Sequence, residues 1–217
     1  MSKLVIFSLL ALFLTGCFDG SVEAKLVKEV ELNSTTKAPQ IRKFSPKKEL
    51  ESTKKEQELK AKFYQIFGDG AKIAPNGKDM LLVFGQPKDP YTKKFQEDVV
   101  NDTNLSNKIS KEFSPYYIDA TKVKMHKFWH SGKLMDVDTK TLISIYGIDS
   151  TPTIIFLDKD GKSILRVPGY MPPKQFIVTI DFIKDGNFTD KDRKDGKIYK
   201  KLKDYYLLHK IKVKAKR

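Results

Sequence analysis

The fold is decided by residues 80–95, which read Met-Leu-Leu-Val-Phe-Gly-Gln-Pro-Lys-Asp-Pro-Tyr-Thr-Lys-Lys-Phe. The first six residues form an apolar run of strand length without an amphipathic break, which is typical of a strand buried on both faces of a sheet. Asp89 and Pro90 then predict a helix start, because Asp is a good N-cap and Pro is favoured at the first helical position. Phe95, Val99 and Val100 would give this helix a buried face. The stretch therefore predicts a central strand followed by an amphipathic helix.

The flanking sequence predicts an α/β domain around this unit. Apolar residues at helical spacing predict an earlier helix over Ser52–Phe67. Strand and helix signals alternate downstream and end with a β-hairpin and a last helix, an order that favours a mixed sheet covered by helices. The predicted elements are a strand at Pro115–Asp119, a helix at Thr139–Tyr146 ended by Gly147, strands at Thr153–Leu157 and Ser163–Val167 joined by Asp160-Gly161, and a helix at Pro173–Ile183.

Three motifs carry a resemblance to a known family: residues 81–95, Thr151-Pro152-Thr153 and Pro168-Gly169-Tyr170. Together they resemble the exported, thioredoxin-like proteins associated with sulfur oxidation and periplasmic thiol reduction. In that family the strand runs into Cys-Pro-Tyr-Cys-Lys-Lys, and a Thr-Pro-Thr carries a cis proline that faces it. The resemblance covers about Lys78–Gly186 and implies a thioredoxin-like fold, with a mixed central β-sheet flanked by helices.

The resemblance also shows what the redox site has lost. The family's nucleophilic Cys falls at Asp89 and its resolving Cys at Thr92, while Pro90 and Tyr91 are kept. Thiol-disulfide exchange needs a thiolate that attacks a disulfide sulfur, and carboxylate and hydroxyl side chains cannot take that step. We therefore expect a redox-inactive protein with no catalytic residue and no cofactor. Asp89 either mimics the thiolate charge at the helix N-terminus or simply caps the helix, and both interpretations stay open.

The second half of the family's site would form a groove. The resemblance places Thr151 and Pro152 opposite the helix start, and in this fold such a proline leaves neighbouring backbone groups free to pair with an extended peptide. Tyr91, Thr151, Pro152 and Tyr170 are therefore candidate groove residues for a peptide or protein partner. The alternative is that Pro152 only shapes the turn, because a cis bond cannot be read from one sequence.

The N-terminus predicts export and lipid anchoring. A basic start, a short apolar run and Leu14-Thr15-Gly16-Cys17 have the layout of a secretory signal, and the last four residues resemble the bacterial lipobox. We expect residues 1–16 to be removed and Cys17, the only cysteine, to be acylated, which would anchor the protein to a bacterial membrane facing the periplasm. A plain signal peptide or an uncleaved anchor is the alternative.

Composition completes the predicted domain organisation. Residues 17–50 are polar and read as a flexible tether, residues 51–186 as the thioredoxin-like domain, and residues 187–217 as a basic C-terminal extension. The chain has 41 basic and 27 acidic residues, a net charge of +14 that is concentrated after Lys191. The extension places an apolar stripe on one side of a helix, and this stripe either packs on the domain or lies on an anionic membrane. Export disfavours nucleic acid as a partner.

Several functions remain open at this point. His126 and His130 stand four residues apart in what reads as an exposed loop or short helix, where a helical spacing would suit two metal ligands, but no metal site is expected from so weak a signal. The leading hypothesis is a non-enzymatic envelope protein that binds a protein or peptide partner. The alternatives are an oxidoreductase working by a thiol-independent or metal-assisted route, and a structural anchor of an envelope complex.

Overall fold

The structure is a computed structural model that describes residues 46–186 and 188–212. The predicted signal peptide, Cys17 and most of the predicted tether lie outside the described residues. Within that part of the chain, no helix is long and apolar enough to cross a membrane. The helices are α1 (Pro46–Ile66), α2 (Pro90–Asn101), α3 (Thr103–Glu112), α4 (Thr139–Tyr146), α5 (Pro173–Asp185), α6 (Asp190–Lys194) and α7 (Lys197–Leu208). The strands are β1 (Lys72–Ile73), β2 (Asp79–Gly85), β3 (Phe113–Asp119), β4 (Met125–His130), β5 (Lys133–Asp138), β6 (Thr153–Leu157) and β7 (Ser163–Pro168).

A mixed four-stranded sheet in the order β3-β2-β6-β7 forms the centre of the fold. Strand β2 pairs in parallel with β3 and antiparallel with β6, so its backbone is hydrogen-bonded on both edges. Its residues from Met80 to Gly85 are all buried. The prediction of a central strand buried on both faces is confirmed, and so is the α/β thioredoxin-like fold class.

The side chains of β2 alternate between two apolar clusters on opposite faces of the sheet. Leu81 and Val83 join the larger cluster, which includes Phe95 of α2 and Phe176 of α5. Met80, Leu82 and Phe84 join the smaller one, which includes Phe128 and Leu142. Burying both faces removes a large apolar area from water, which is the main driving force for folding. It also fixes the end of β2, and therefore the start of α2.

A second, three-stranded sheet in the order β1-β4-β5 corrects the prediction for the two histidines. His126 and His130 lie on strand β4, not in a loop or helix. Four residues along a strand span about 13 Å, so the helical spacing that suggested a shared metal does not exist here. His126 is buried, with Nδ1 2.7 Å from the carbonyl oxygen of Gly70 and Nε2 2.9 Å from Oγ1 of Thr139. Both of its ring nitrogens therefore have protein partners.

The largest difference between the predicted and the observed helix boundaries is at the start of the first helix. Helix α1 begins at Pro46 rather than Ser52, so residues 46–50 of the predicted tether are helical. Helix α4 ends at Tyr146. Gly147 follows it in the left-handed conformation, with φ of 58°, and stops the helix as predicted from a glycine at that position.

Helix α7 of the basic extension packs against the domain. Ile198, Leu202 and Tyr206 are buried and belong to the larger apolar cluster. The Tyr206 hydroxyl is 2.5 Å from the Thr179 hydroxyl of α5. Of the two alternatives for the apolar stripe, packing on the domain is therefore confirmed for these residues.

Candidate functional site

Asp89 caps the N-terminus of α2 with both carboxylate oxygens. Its backbone is extended, with φ of −78° and ψ of 122°, and Pro90 follows at the first helical position. The backbone N–H of Tyr91 donates to Oδ1 over 3.1 Å, and that of Thr92 donates to Oδ2 over 3.1 Å. Two N–H groups that the helix itself cannot satisfy are thus bonded to an anion, where the helix dipole also favours negative charge.

Thr92 faces inward and closes on Asp89. Its side chain is fully buried, and its hydroxyl donates to Oδ2 of Asp89 over 2.6 Å. The same hydroxyl accepts from the backbone N–H of Gln86 over 3.3 Å. Asp89 and Thr92 are thus joined by a short hydrogen bond, and the hydroxyl of Thr92 is used both as donor and as acceptor.

The carboxyl of Asp89 is held in its charged form. Partial burial alone would raise its pKa, but hydrogen bonds from the Thr92 hydroxyl, the Tyr91 N–H, the Thr151 hydroxyl and the Thr92 N–H favour the carboxylate. Their combined effect lowers the pKa of Asp89 below its ordinary value of 3.8. The helix start therefore carries a permanent negative charge at neutral pH.

We expect Asp89→Asn to lower the free energy of unfolding by about 1 kcal/mol at neutral pH, because Asn caps almost as well but brings no charge. Since the folded-state pKa of Asp89 is the lower one, this stabilisation is present above pH 3.8 and is lost as the pH falls through the folded-state value. Urea unfolding of both proteins at neutral and strongly acidic pH measures the difference. A difference that does not change with pH would contradict the assignment of the effect to the charge.

The end of β2 leaves no room behind this pair. A Cβ atom on Gly85 would lie 2.7 Å from Cγ2 of Thr92 and 2.7 Å from the hydroxyl oxygen of Tyr117. That hydroxyl is buried and has no hydrogen-bond partner among the described residues. Burial raises the pKa of Tyr117, so its hydroxyl stays neutral. The back of the site is therefore tightly packed, and only glycine fits at position 85.

Tyr91 and Tyr170 form one wall of an open groove in front of the helix start. The groove has a volume of about 750 Å³ and is lined by Tyr91, Thr151, Gly169, Tyr170, Pro172, Gln175 and Lys212. Tyr91 is 61% exposed, and its ring stacks on that of Tyr170 at a centroid distance of 6.4 Å. The structure thus brings three of the four candidate groove residues, Tyr91, Thr151 and Tyr170, to one surface.

Tyr170 is fixed in place from behind. Its hydroxyl donates to Oδ2 of Asp98 on α2, and Asp98 also pairs with Lys94. Burial and this hydrogen bond raise the pKa of Tyr170, so the hydroxyl remains a donor at neutral pH. The position of the aromatic wall is therefore set by helix α2, the same helix that Asp89 caps.

Pro152 lies beneath the groove rather than in its lining. The Thr151-Pro152 peptide bond is cis, and Pro152 is buried, with its carbonyl oxygen accepting from the N–H of Gly169 over 2.8 Å. This bond ties the turn before β6 to the loop that follows β7. It thereby holds Thr151 and Tyr170 on neighbouring segments of the groove.

Sequence reasoning missed the far side of the groove. Gln175 comes from α5, and its side-chain amide donates to the Tyr206 hydroxyl over 3.4 Å. Lys212 follows the end of α7 and is exposed. Neither residue is part of a motif: Gln175 is placed by helix α5 itself, and Lys212 reaches the groove because α7 packs on α5. Among the described residues, no cluster of three or more His, Cys, Asp or Glu side chains has the arrangement of a metal site.

Comparisons with known proteins identify a family and solved structures to which the chain is similar. Residues 66–184, more than half of the chain, match the family model of the thioredoxin-like domain. The chain is similar to a thioredoxin-fold protein from Helicobacter pylori, with 36% identity, coverage of 70% of this chain and 96% of that one, and a TM-score of 0.63. It also matches a thioredoxin from Thermus thermophilus at 18% identity, covering 50% of this chain and 75% of that one, with a TM-score of 0.39. A comparison with curated proteins found no match.

Proposed function

The chain belongs to the thioredoxin-like domain family, and from this premise we propose that it is a redox-inactive binding protein, anchored by lipid to a bacterial membrane, that holds a protein or peptide partner in its groove. It faces the periplasm and takes no part in thiol chemistry. The observation that carries the proposal is the hydrogen-bonded pair of Asp89 and Thr92 at the start of α2.

Loss of redox activity follows from the chemistry of this pair. Disulfide exchange needs one thiolate to form a mixed disulfide and a second thiol to resolve it. The chain has one cysteine, Cys17, which is far from the site in sequence and is the expected acylation point. A carboxylate and a hydroxyl at positions 89 and 92 supply neither thiol.

Partner binding is supported by what the site retains. The stacked rings of Tyr91 and Tyr170 form an aromatic surface, and aromatic side chains of this kind dominate binding energy in many interfaces. Thr151 offers main-chain groups beside that surface, since neither its N–H nor its carbonyl oxygen has a hydrogen-bond partner within residues 46–186 and 188–212. An extended peptide placed along the groove would satisfy these groups by strand-like pairing.

Membrane anchoring rests on the Leu14-Thr15-Gly16-Cys17 motif alone. Several acyl chains on one residue give stable attachment, because each buried methylene contributes about 0.8 kcal/mol.

The experiment that tests partner binding is photo-crosslinking in cells. A photoreactive phenylalanine analogue replaces Pro172 at the groove, and a control protein carries it at Lys159, in the exposed turn between β6 and β7. We expect a defined adduct only from position 172. Tyr91→Ala, introduced into the protein that carries the analogue at position 172, should reduce the yield of this adduct about tenfold, because the substitution removes an exposed aromatic contact.

The matched control is Tyr199→Ala, which removes a tyrosine of similar exposure, 51% against 61%, outside the groove. Equal adducts in Tyr91→Ala and the wild type would count against the groove. The same cells report on anchoring: the wild type should incorporate labelled palmitate and Cys17→Ser should not, and an unlabelled wild type or equal labelling of both proteins would refute the lipid anchor.

A further inference from the structure

Helix α7 ends in two exposed leucines. Its inner side carries the buried residues Ile198, Leu202 and Tyr206, whereas Leu207 is 62% exposed and Leu208 is 80% exposed. Leu208 is the most exposed large apolar side chain among the described residues. The packing of α7 on the domain therefore does not account for these two leucines.

Positive charge surrounds the leucines. Lys200, Lys203, Lys210 and Lys212 are exposed, and none of them has an ion-pair partner within residues 46–186 and 188–212. Asp204 is the acidic residue on this part of the helix. From position 210 onward the sequence reads Lys-Ile-Lys-Val-Lys-Ala-Lys-Arg, with no acidic residue. The exposed leucines thus stand directly before a strongly basic chain end.

We propose that Leu207, Leu208 and the exposed side chains of Lys200, Lys203 and Lys210 form a surface that docks on an anionic phospholipid bilayer. Lysine and arginine side chains near an anionic membrane are attracted by its surface potential, and apolar side chains beside them enter the boundary between headgroups and acyl chains. An acidic protein would match the charge but not the paired leucines. A bilayer matches both features at once.

This docking is separate from the groove and does not depend on the proposed partner. It also does not require acylation of Cys17, although an anchored protein would dock more readily because its effective concentration at the membrane is higher. The test therefore uses the chain from Phe18 onward, which lacks Cys17 and retains the whole compact unit Ser45–Arg217.

The first measurement compares binding to vesicles of phosphatidylglycerol mixed with phosphatidylcholine and to vesicles of phosphatidylcholine alone. We expect binding to the anionic vesicles that salt weakens. Leu207→Ser combined with Leu208→Ser should reduce the partition coefficient roughly tenfold. The matched control is Val123→Ser with Ile145→Ser, which changes two side chains that are 72% and 61% exposed elsewhere on the domain and should leave binding unchanged.

The second measurement removes charge. Neutralising the surface by Lys200→Gln, Lys203→Gln and Lys210→Gln should reduce partition into anionic vesicles by about tenfold or more. The control neutralises Lys54, Lys55 and Lys60 on α1, which are also exposed. Far-UV circular dichroism verifies that each variant is folded.

Equal partition into anionic and neutral vesicles, or equal partition of the wild type and the leucine variant, would overturn the proposal. Binding to polyglutamate, an acidic polypeptide, is measured in parallel. If the protein binds polyglutamate more tightly than vesicles, and if the leucine substitutions do not change that binding, the surface would instead be assigned to an acidic protein. Failure of this test would leave the crosslinking result at position 172 unaffected, so the two proposals fail separately.

Discussion

Asp89→Cys combined with Thr92→Cys is expected to give the protein a disulfide-exchange activity that we propose the wild-type chain lacks. The substitutions place thiols at the two positions that are now joined by the short Asp89–Thr92 hydrogen bond. The rest of the helix start, Pro90 and Tyr91, already matches the pattern of redox-active relatives. A thiolate at position 89 would attack a substrate disulfide and release one substrate thiol. The thiol at position 92 would then break the mixed disulfide and release the second.

The physical reason for this gain lies in the anion site that Asp89 now occupies. The N–H groups of Tyr91 and Thr92 point at the carboxylate, and together with the helix dipole they would stabilise a thiolate in the same place. Cysteines at helix N-termini have lowered pKa values for this reason and are nucleophilic at neutral pH. Two residues three apart at a helix start also lie within the Cα separation that a disulfide needs.

The assay is reduction of insulin disulfides with dithiothreitol as the final reductant. The double variant should accelerate the reaction, and the wild type should match the buffer. As a control, Lys108→Cys with Lys111→Cys places thiols at the same spacing inside α3, away from a helix N-terminus, and should stay close to background. Acceleration by the wild type would refute the redox-inactive proposal. A folded but inactive double variant would mean that more than the two thiols has been lost.

The sequence specified β2 and α2 well because each carries a signal that does not depend on the rest of the fold. An apolar run from Met80 to Gly85 predicts a buried strand wherever it lies, and Asp89-Pro90 predicts a helix start from local capping alone. The structure confirms both, and adds the hydrogen bond from Thr92 to Asp89 that a residue pattern cannot show.

Helix α3 and the β4–β5 hairpin escaped prediction because their stabilising contacts are few or distant. Helix α3 buries only Leu105 and Ile109, too few apolar positions for a clear helical period. In strand β4 the buried positions include His126 whereas the apolar Met125 is exposed, and strand β5 exposes Leu134. The apolar residues of the hairpin therefore do not mark its buried positions, and the sequence lacks the alternation expected of a strand. The hairpin is held in place by contacts such as the His126–Gly70 bond, whose partners are far apart in the chain.

The groove shows the same limit for a functional site. Tyr91, Thr151 and Tyr170 lie in motifs and could be proposed from the resemblance. Gln175 and Lys212 lie in no motif: helix α5 brings Gln175 to the groove, and the packing of α7 on α5 brings Lys212 there. Residues brought together by tertiary packing alone leave no local pattern in a single sequence.

Leu202→Ala is expected to lower the free energy of unfolding by about 3 kcal/mol, which is the typical cost of emptying a buried leucine site. Leu202 is only 6% exposed and packs in the larger apolar cluster, although it lies in the segment that the sequence predicts to be a basic C-terminal extension. Leu208→Ala is the matched control, because Leu208 lies on the same helix and is 80% exposed. Its effect should stay within about 0.5 kcal/mol. Urea unfolding followed by circular dichroism measures both.

A larger loss is expected when the chain is ended after Gly186, because this removes Ile198, Leu202 and Tyr206 from the core together. The truncated protein should fail to unfold cooperatively. It should also lose the groove, since the Tyr206 hydroxyl that contacts Thr179 and Gln175 supports the groove's α5 side. If the truncated chain instead kept the wild-type urea midpoint, residues 187–217 would be a separable extension. The expected result makes α7 part of the domain, so that its inner side stabilises the groove while its outer end is free to meet the membrane.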